Sequence, residues 1–182
     1  MSHTIRGEEY IFCLLPDADR EYQQITSYKK SPDYEKMKAN IEKIRENLSV
    51  FKGSKPLNDD ENRSRTIMAK SIGLDKTEIE NTETEQAECL SLAVSYYLRT
   101  ILMEKDDLSS SVLFRICSLW FANKDNTSIL DLLRKNFNNV ASHKFISVLP
   151  QIATRLSSVN DNFCILIERI VGKSCLSHST AS

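Results

Sequence analysis

The sequence predicts an all-α protein, a segment of stacked antiparallel helical hairpins (an α-solenoid) with a compact bundle as the alternative. Three observations carry this. Apolar residues recur at spacings of three and four through most of the chain, the period of a helix that buries one stripe. Gly and Pro are scarce, four of each in 182 residues; helix interiors exclude both, and β-rich folds spend both in turns. Hydrophobic residues make up 41% and charged residues 27%, which suits a packed core under a solvated surface and argues against wholesale disorder.

The elements follow in order. Residues 1–16 form a leader that fits no pattern. Asp17 to Tyr28 reads as a helix, with Tyr22, Ile25 and Tyr28 at spacing three. Ser31-Pro32-Asp33 is a strong helix start, because serine accepts a bond from a free backbone N–H and proline is harmless at the first helical position. The helix it opens carries Met37, Ile41, Ile44, Leu48 and Phe51 on one face, and Gly53 ends it. Residues 53–65 hold Gly53, Pro56 and the acidic run Asp59-Asp60-Glu61, and read as a linker. Ile67 to Ile72 begins a further helix, which Gly73 interrupts. Lys76 to Glu104 reads as one long helix, acidic in its first half and basic near its end, with Leu90, Val94, Tyr97 and Ile101 as the buried stripe.

Ser109–Ser111 reads as a break. Val112 to Ala122 is short and densely apolar, through Leu113, Ile116, Leu119 and Trp120. Ser128, with Asp131 three residues on, reads as the cap of a helix carrying Ile129, Leu132, Leu133 and Phe137. Lys144 to Leu156 continues through Phe145, Val148, Leu149 and Ile152, and Pro150 predicts a kink inside it. Asp161 to Val171 is the last helix, Gly172 its terminator, and residues 173–182 a frayed, flexible tail. The total is six to eight helices joined by short connections. No fixed repeat period appears, so periodicity leaves solenoid and bundle both open.

Charge and motifs exclude most chemistry. Twenty-four basic and 25 acidic side chains give a net charge of −1, too even for long-range attraction to nucleic acid or anionic lipid. No apolar run approaches the roughly 20 residues that span a bilayer, and none resembles a signal peptide, so the chain reads as intracellular. Cys13, Cys89, Cys117, Cys164 and Cys175 lack zinc or redox spacing and read as thiols in a reducing compartment. The glycines are too far apart for a phosphate loop, and the His-Arg-Asp and Asp-Phe-Gly signatures of protein kinases are missing. His3, His143 and His178 stand alone. The sequence therefore offers no catalytic, metal or cofactor-binding residue. Its candidates are structural or interaction residues: Arg115, Trp120, Phe114, Leu119, Phe145 and Tyr22. Arg115 sits among residues due for burial, so its guanidinium either clamps an acidic group or carbonyls on another helix, or snorkels past the apolar face to water.

Four blocks carry a family resemblance. Leu113-Phe114-Arg115-Ile116-Cys117-Ser118-Leu119-Trp120 resembles a stretch of the FAT region of ATM-type protein kinases. Ala18-Asp19-Arg20-Glu21-Tyr22-Gln23-Gln24-Ile25, continuing to Tyr28, Lys30 and Ser31, resembles an earlier block of that region. Lys144-Phe145 with Gln151-Ile152-Ala153 and Arg155, and then Leu166-Ile167-Glu168-Arg169-Ile170, are similar to later ones, in the same order. Residues 17–172 would then be a partial FAT region. The resemblance implies an α-solenoid that wraps the kinase domain of a larger nuclear enzyme and contributes to dimer contacts. Its partners would be the adjoining kinase and helical-repeat regions. That parent would phosphorylate Ser or Thr followed by Gln in response to DNA breaks, using ATP and a divalent metal. None of its catalytic motifs maps here. Residues 1–16, the 53–65 stretch and the last ten residues depart from the family pattern, as expected of a fragment or a partial gene model, or else of a genuine short protein descended from such a kinase. The alternative from a different class is a free-standing helical adaptor that binds a partner helix in a groove.

Overall fold

In the computed structural model, residues 17–50, 59–103, 109–154 and 165–172 are described, and every regular element among them is helical. Helix α1 covers 17–28. It is followed by α2 (Pro32–Val50), α3 (Asp59–Leu102), α4 (Ser109–Ala122), α5 (Thr127–Phe137), a 3₁₀ turn (Ser142–Phe145), α6 (Leu149–Ala153) and α7 at 165–172. The all-α expectation is met. The chain forms two compact units, Asp19–Cys89 and the remainder, and the division falls inside α3.

In the first unit the Ser31 start is observed: Tyr34 N–H donates to Ser31 Oγ at 3.3 Å and α2 opens at Pro32. The stripe of α2 is centred on Ile41, which is buried, with Met37, Ile44 and Leu48 half-buried; Phe51 and Gly53 lie outside the described residues. Tyr34 belongs to the same face one turn earlier and is fully buried.

Helix α3 corrects three expectations. It runs unbroken for 44 residues, and the acidic run placed in a linker is its first turn. Carboxylates there meet free N–H groups and the positive end of the helix dipole, so they favour a helix start. Gly73 lies inside the helix and does not interrupt it. One glycine costs about 1 kcal/mol relative to alanine, too little to break so long a run. The stripe along its end is as predicted at Leu90, Val94 and Ile101, with Tyr97 half-buried, and Ala93 and Leu98 widen it.

In the second unit, α4 begins at Ser109, so the serine run is the helix start instead of a break. Its predicted stripe is wholly buried at Leu113, Ile116, Leu119 and Trp120, joined by Cys117. The cap of α5 is Asn126, whose Oδ1 accepts from Ile129 N–H at 3.2 Å, and Ser128 lies inside the helix. Pro150 does not kink a helix. The chain passes through the 3₁₀ turn and residues 146–148, and Pro150 then sits in the first turn of α6, where its missing N–H would have had no partner. Phe145, Val148 and Ile152 are buried all the same; Leu156 lies outside the described residues. Helix α7 buries Leu166, Ile167 and Ile170. The leader, the part of the linker before Asp59, the start predicted for the last helix and the tail also lie outside the described residues.

Candidate functional site

The helices place the six candidate residues in two settings. Trp120, Leu119 and Phe145 are buried in the second unit, and Tyr22 is buried at 7% exposure. Trp120 and Phe145 are linked through Phe137, which meets the indole edge-on at 6.1 Å and the Phe145 ring edge-on at 5.3 Å. Such pairs add about 0.5–1.5 kcal/mol each beyond the area they bury. These aromatics are core. Phe114 faces out, at 37% exposure. Arg115 is half-buried and engaged by a neighbouring group, between the buried side of α4 and its open side.

The open side of α4 forms a concavity with α6. Phe114, Ser118, Phe121 and Ala122 recur at helical spacing, and Gln151 and Thr154 close a shallow groove of about 650 Å³. Small residues beside two phenylalanines suit the approach of another apolar surface, and none of the described residues lining it can activate a nucleophile or hold a phosphate. No described residues form a group of three or more His, Cys, Asp or Glu able to hold a metal ion. No described helix is long and apolar enough to cross a membrane.

Polar side chains tie α1 to α3. Tyr28 Oη donates to Glu78 Oε1 at 2.8 Å, Gln86 Nε2 donates to Thr26 Oγ1 at 2.9 Å, and Cys89 Sγ lies 3.7 Å from Glu21 Oε2. The pairs descend α3 as they ascend α1, so the two helices run antiparallel. Lys29 Nζ donates to Gln86 Oε1 at 2.8 Å and sits 3.9 Å from Glu83 Oε1. The bond to Glu78 holds the Tyr28 phenol above its ordinary pKa, because ionisation would set two negative oxygens against each other. Burial raises Tyr34 in the same direction, with Glu83 and Glu35 adding to it. Burial also raises the Cys89 thiol, and it pushes Cys117 up to about 12. A raised thiol carries little thiolate at neutral pH, so neither cysteine is a poised nucleophile. Sequence reasoning missed this clasp because its members are ordinary polar residues whose pairing needs the third dimension.

No family profile matches the chain. Individual proteins do. It is 32% identical over 143 residues, 79% of its length, to serine/threonine-protein kinase ATM of Drosophila melanogaster. It is 25% identical over 142 residues, 78% of its length, to serine-protein kinase ATM of Sus scrofa. A third match, 23% identical over 176 residues and 90% of the chain, is serine/threonine-protein kinase tel1 of Schizosaccharomyces pombe. The chain spans only 5%, 4% and 6% of these three proteins respectively. The four sequence blocks that resemble the ATM type each contribute buried side chains: Ala18 and Tyr22; Leu113, Ile116, Cys117, Leu119 and Trp120; Phe145 and Ile152; Leu166, Ile167 and Ile170. By sequence, the chain is related to a segment of the ATM-type serine/threonine-protein kinases.

Proposed function

We propose that the chain is a non-catalytic helical scaffold, corresponding to part of the FAT region of an ATM-like serine/threonine kinase. It acts by shape: its helices stack as a solenoid segment against the kinase domain and neighbouring helical repeats, hold the catalytic lobe and relay conformational change to it. The observation that carries this reading is the similarity to the fly kinase over most of the chain, at only 5% of that protein's length. A stretch so small a part of a kinase, and without the kinase signatures, supports a role beside the catalytic lobe. In this reading the parent works in the nucleus in the DNA-damage response, and the chain contributes to dimer contacts and holds no cofactor.

The groove beside Phe114 supports a second reading, a free-standing adaptor that takes a partner helix. Titrating the purified chain against a kinase-domain fragment of an ATM-type enzyme separates the two. Saturable binding, with no phosphoryl transfer to a Ser-Gln peptide by the chain alone, supports the scaffold. Phosphoryl transfer by the chain alone, or a folded chain that ignores the kinase fragment, contradicts it.

A further inference from the structure

Ser31-Pro32 has a property that starting a helix does not use. It is the only place in the chain where a Ser or Thr precedes proline; the other three prolines follow Leu15, Lys55 and Leu149. The dipeptide falls at the end of the short turn between α1 and α2. Lys30, Pro32 and Asp33 are exposed there, and Ser31 is half-exposed. The Ser31 N–H is held by Tyr28 O at 2.8 Å, while its Oγ accepts a single long bond from Tyr34 N–H, 3.3 Å. The hydroxyl is therefore weakly held at the surface. A residue before proline is steered away from helical backbone toward extended geometry, and the proline itself brings no N–H. A kinase site that seats an apolar ring after the acceptor, and offers no partner for an N–H, selects such a pair over other serines. The exposed Lys30 immediately precedes it and can offset part of the charge of a phosphate, while Lys29 is already engaged with Gln86 and Glu83.

We propose that Ser31 is a phosphorylation site for a proline-directed serine/threonine kinase. In the transfer, a bond forms between Ser31 Oγ and the γ-phosphorus of ATP as the bond from that phosphorus to the β,γ-bridging oxygen breaks. ADP leaves with the electron pair, and the hydroxyl proton passes to the catalytic carboxylate of the modifying kinase. This inference does not depend on the scaffold reading.

The test is to incubate the folded full chain with a proline-directed kinase of the cyclin-dependent class and Mg-ATP, then map phosphate by mass spectrometry. The expected result is phosphate on Ser31. Pro32→Ala keeps the hydroxyl and the capping oxygen, and its rate should fall about tenfold or more, as when one good transition-state contact is lost. Ser31→Ala should lose the phosphate altogether; because it also removes the cap, Pro32→Ala decides the matter if Ser31→Ala fails to fold. Absence of phosphate on Ser31 in the folded chain overturns the proposal, even if the free 26–36 peptide is modified. Undiminished phosphorylation of Pro32→Ala also overturns it.

Discussion

Lys144 closes the end of α3 by donating from Nζ to the backbone carbonyl of Ile101 at 3.0 Å, with a second, longer bond to Met103 O at 3.4 Å. The last carbonyls of a helix have no donor within it, and they form the negative end of its dipole. An ammonium arriving from 43 residues away supplies both donors and charge, and it ties the 3₁₀ turn to α3. Lys144→Met keeps the stem and removes the charge. It should destabilise the fold by about 1–2 kcal/mol, less than a fully buried charged bond because Lys144 is half-exposed. Urea denaturation measures this; a midpoint equal to the parent's would mean that water replaces the clasp at no cost.

Trp120 is the largest fully buried side chain. Trp120→Ala removes the edge-on partner of Phe137 and leaves a cavity, so a loss of about 3–5 kcal/mol is expected. Trp120→Phe should recover a large part of it. An alanine variant with the parent's denaturation midpoint would show that the aromatic chain from Trp120 to Phe145 does not hold the second unit together.

Tyr34 makes the opposite prediction. Its ring is fully buried, packed edge-on to Tyr28 at 5.4 Å with Lys38 Nζ at 4.9 Å from its centroid, but its Oη has no hydrogen-bond partner among the described residues. Burying a hydroxyl without a partner costs about 1–3 kcal/mol. Tyr34→Phe keeps every ring contact and should leave stability unchanged or raise it by about 1 kcal/mol. A clear drop in melting temperature would reveal a polar contact that the ring contacts alone do not account for.

Cys117 gives a pH dependence whose sign is fixed by burial. Its folded pKa, about 12, lies above the ordinary value near 9. The unfolded state therefore releases its proton first as pH rises. The Cys117 contribution to stability is intact below about pH 9 and is lost progressively toward pH 12. Cys117→Ala should flatten that alkaline loss in denaturation curves taken across the window. At neutral pH a thiol reagent should label Cys89, which is half-buried, before Cys117; labelling in the reverse order would contradict the burial of Cys117.

Periodicity made most of the helices and their buried stripes legible, because residues i, i+3 and i+4 share one side of a helix, whereas in a strand i+3 falls on the face opposite to i and i+4. The α4 stripe was readable in full. Boundaries were harder, since rival signals lie within two or three residues of each other. Asn126 and Ser128 are both good caps, and only the bond to Ile129 N–H chooses between them. Phe145, Val148 and Ile152 keep helical spacing through a 3₁₀ turn and a fresh start, so spacing alone could not show that Pro150 begins α6. The burial of Tyr34 was hidden by the charged residues around it. For the candidate site, burial of Trp120 followed from its neighbours. The groove beside Phe114 and the clasp between α1 and α3 depend on which helices meet, and no local pattern encodes that.

The scaffold reading is tested most directly by the kinase activity of a chimera. Residues 17–172 would replace the corresponding segment of the fly kinase, and phosphorylation of a Ser-Gln peptide would be measured beside the parent. The account predicts activity within about tenfold of the parent, a difference of about 1.4 kcal/mol in the barrier, and its loss when Trp120→Ala is added within the segment. A folded chimera without activity, or one whose activity ignores Trp120→Ala while that substitution unfolds the segment, would contradict it.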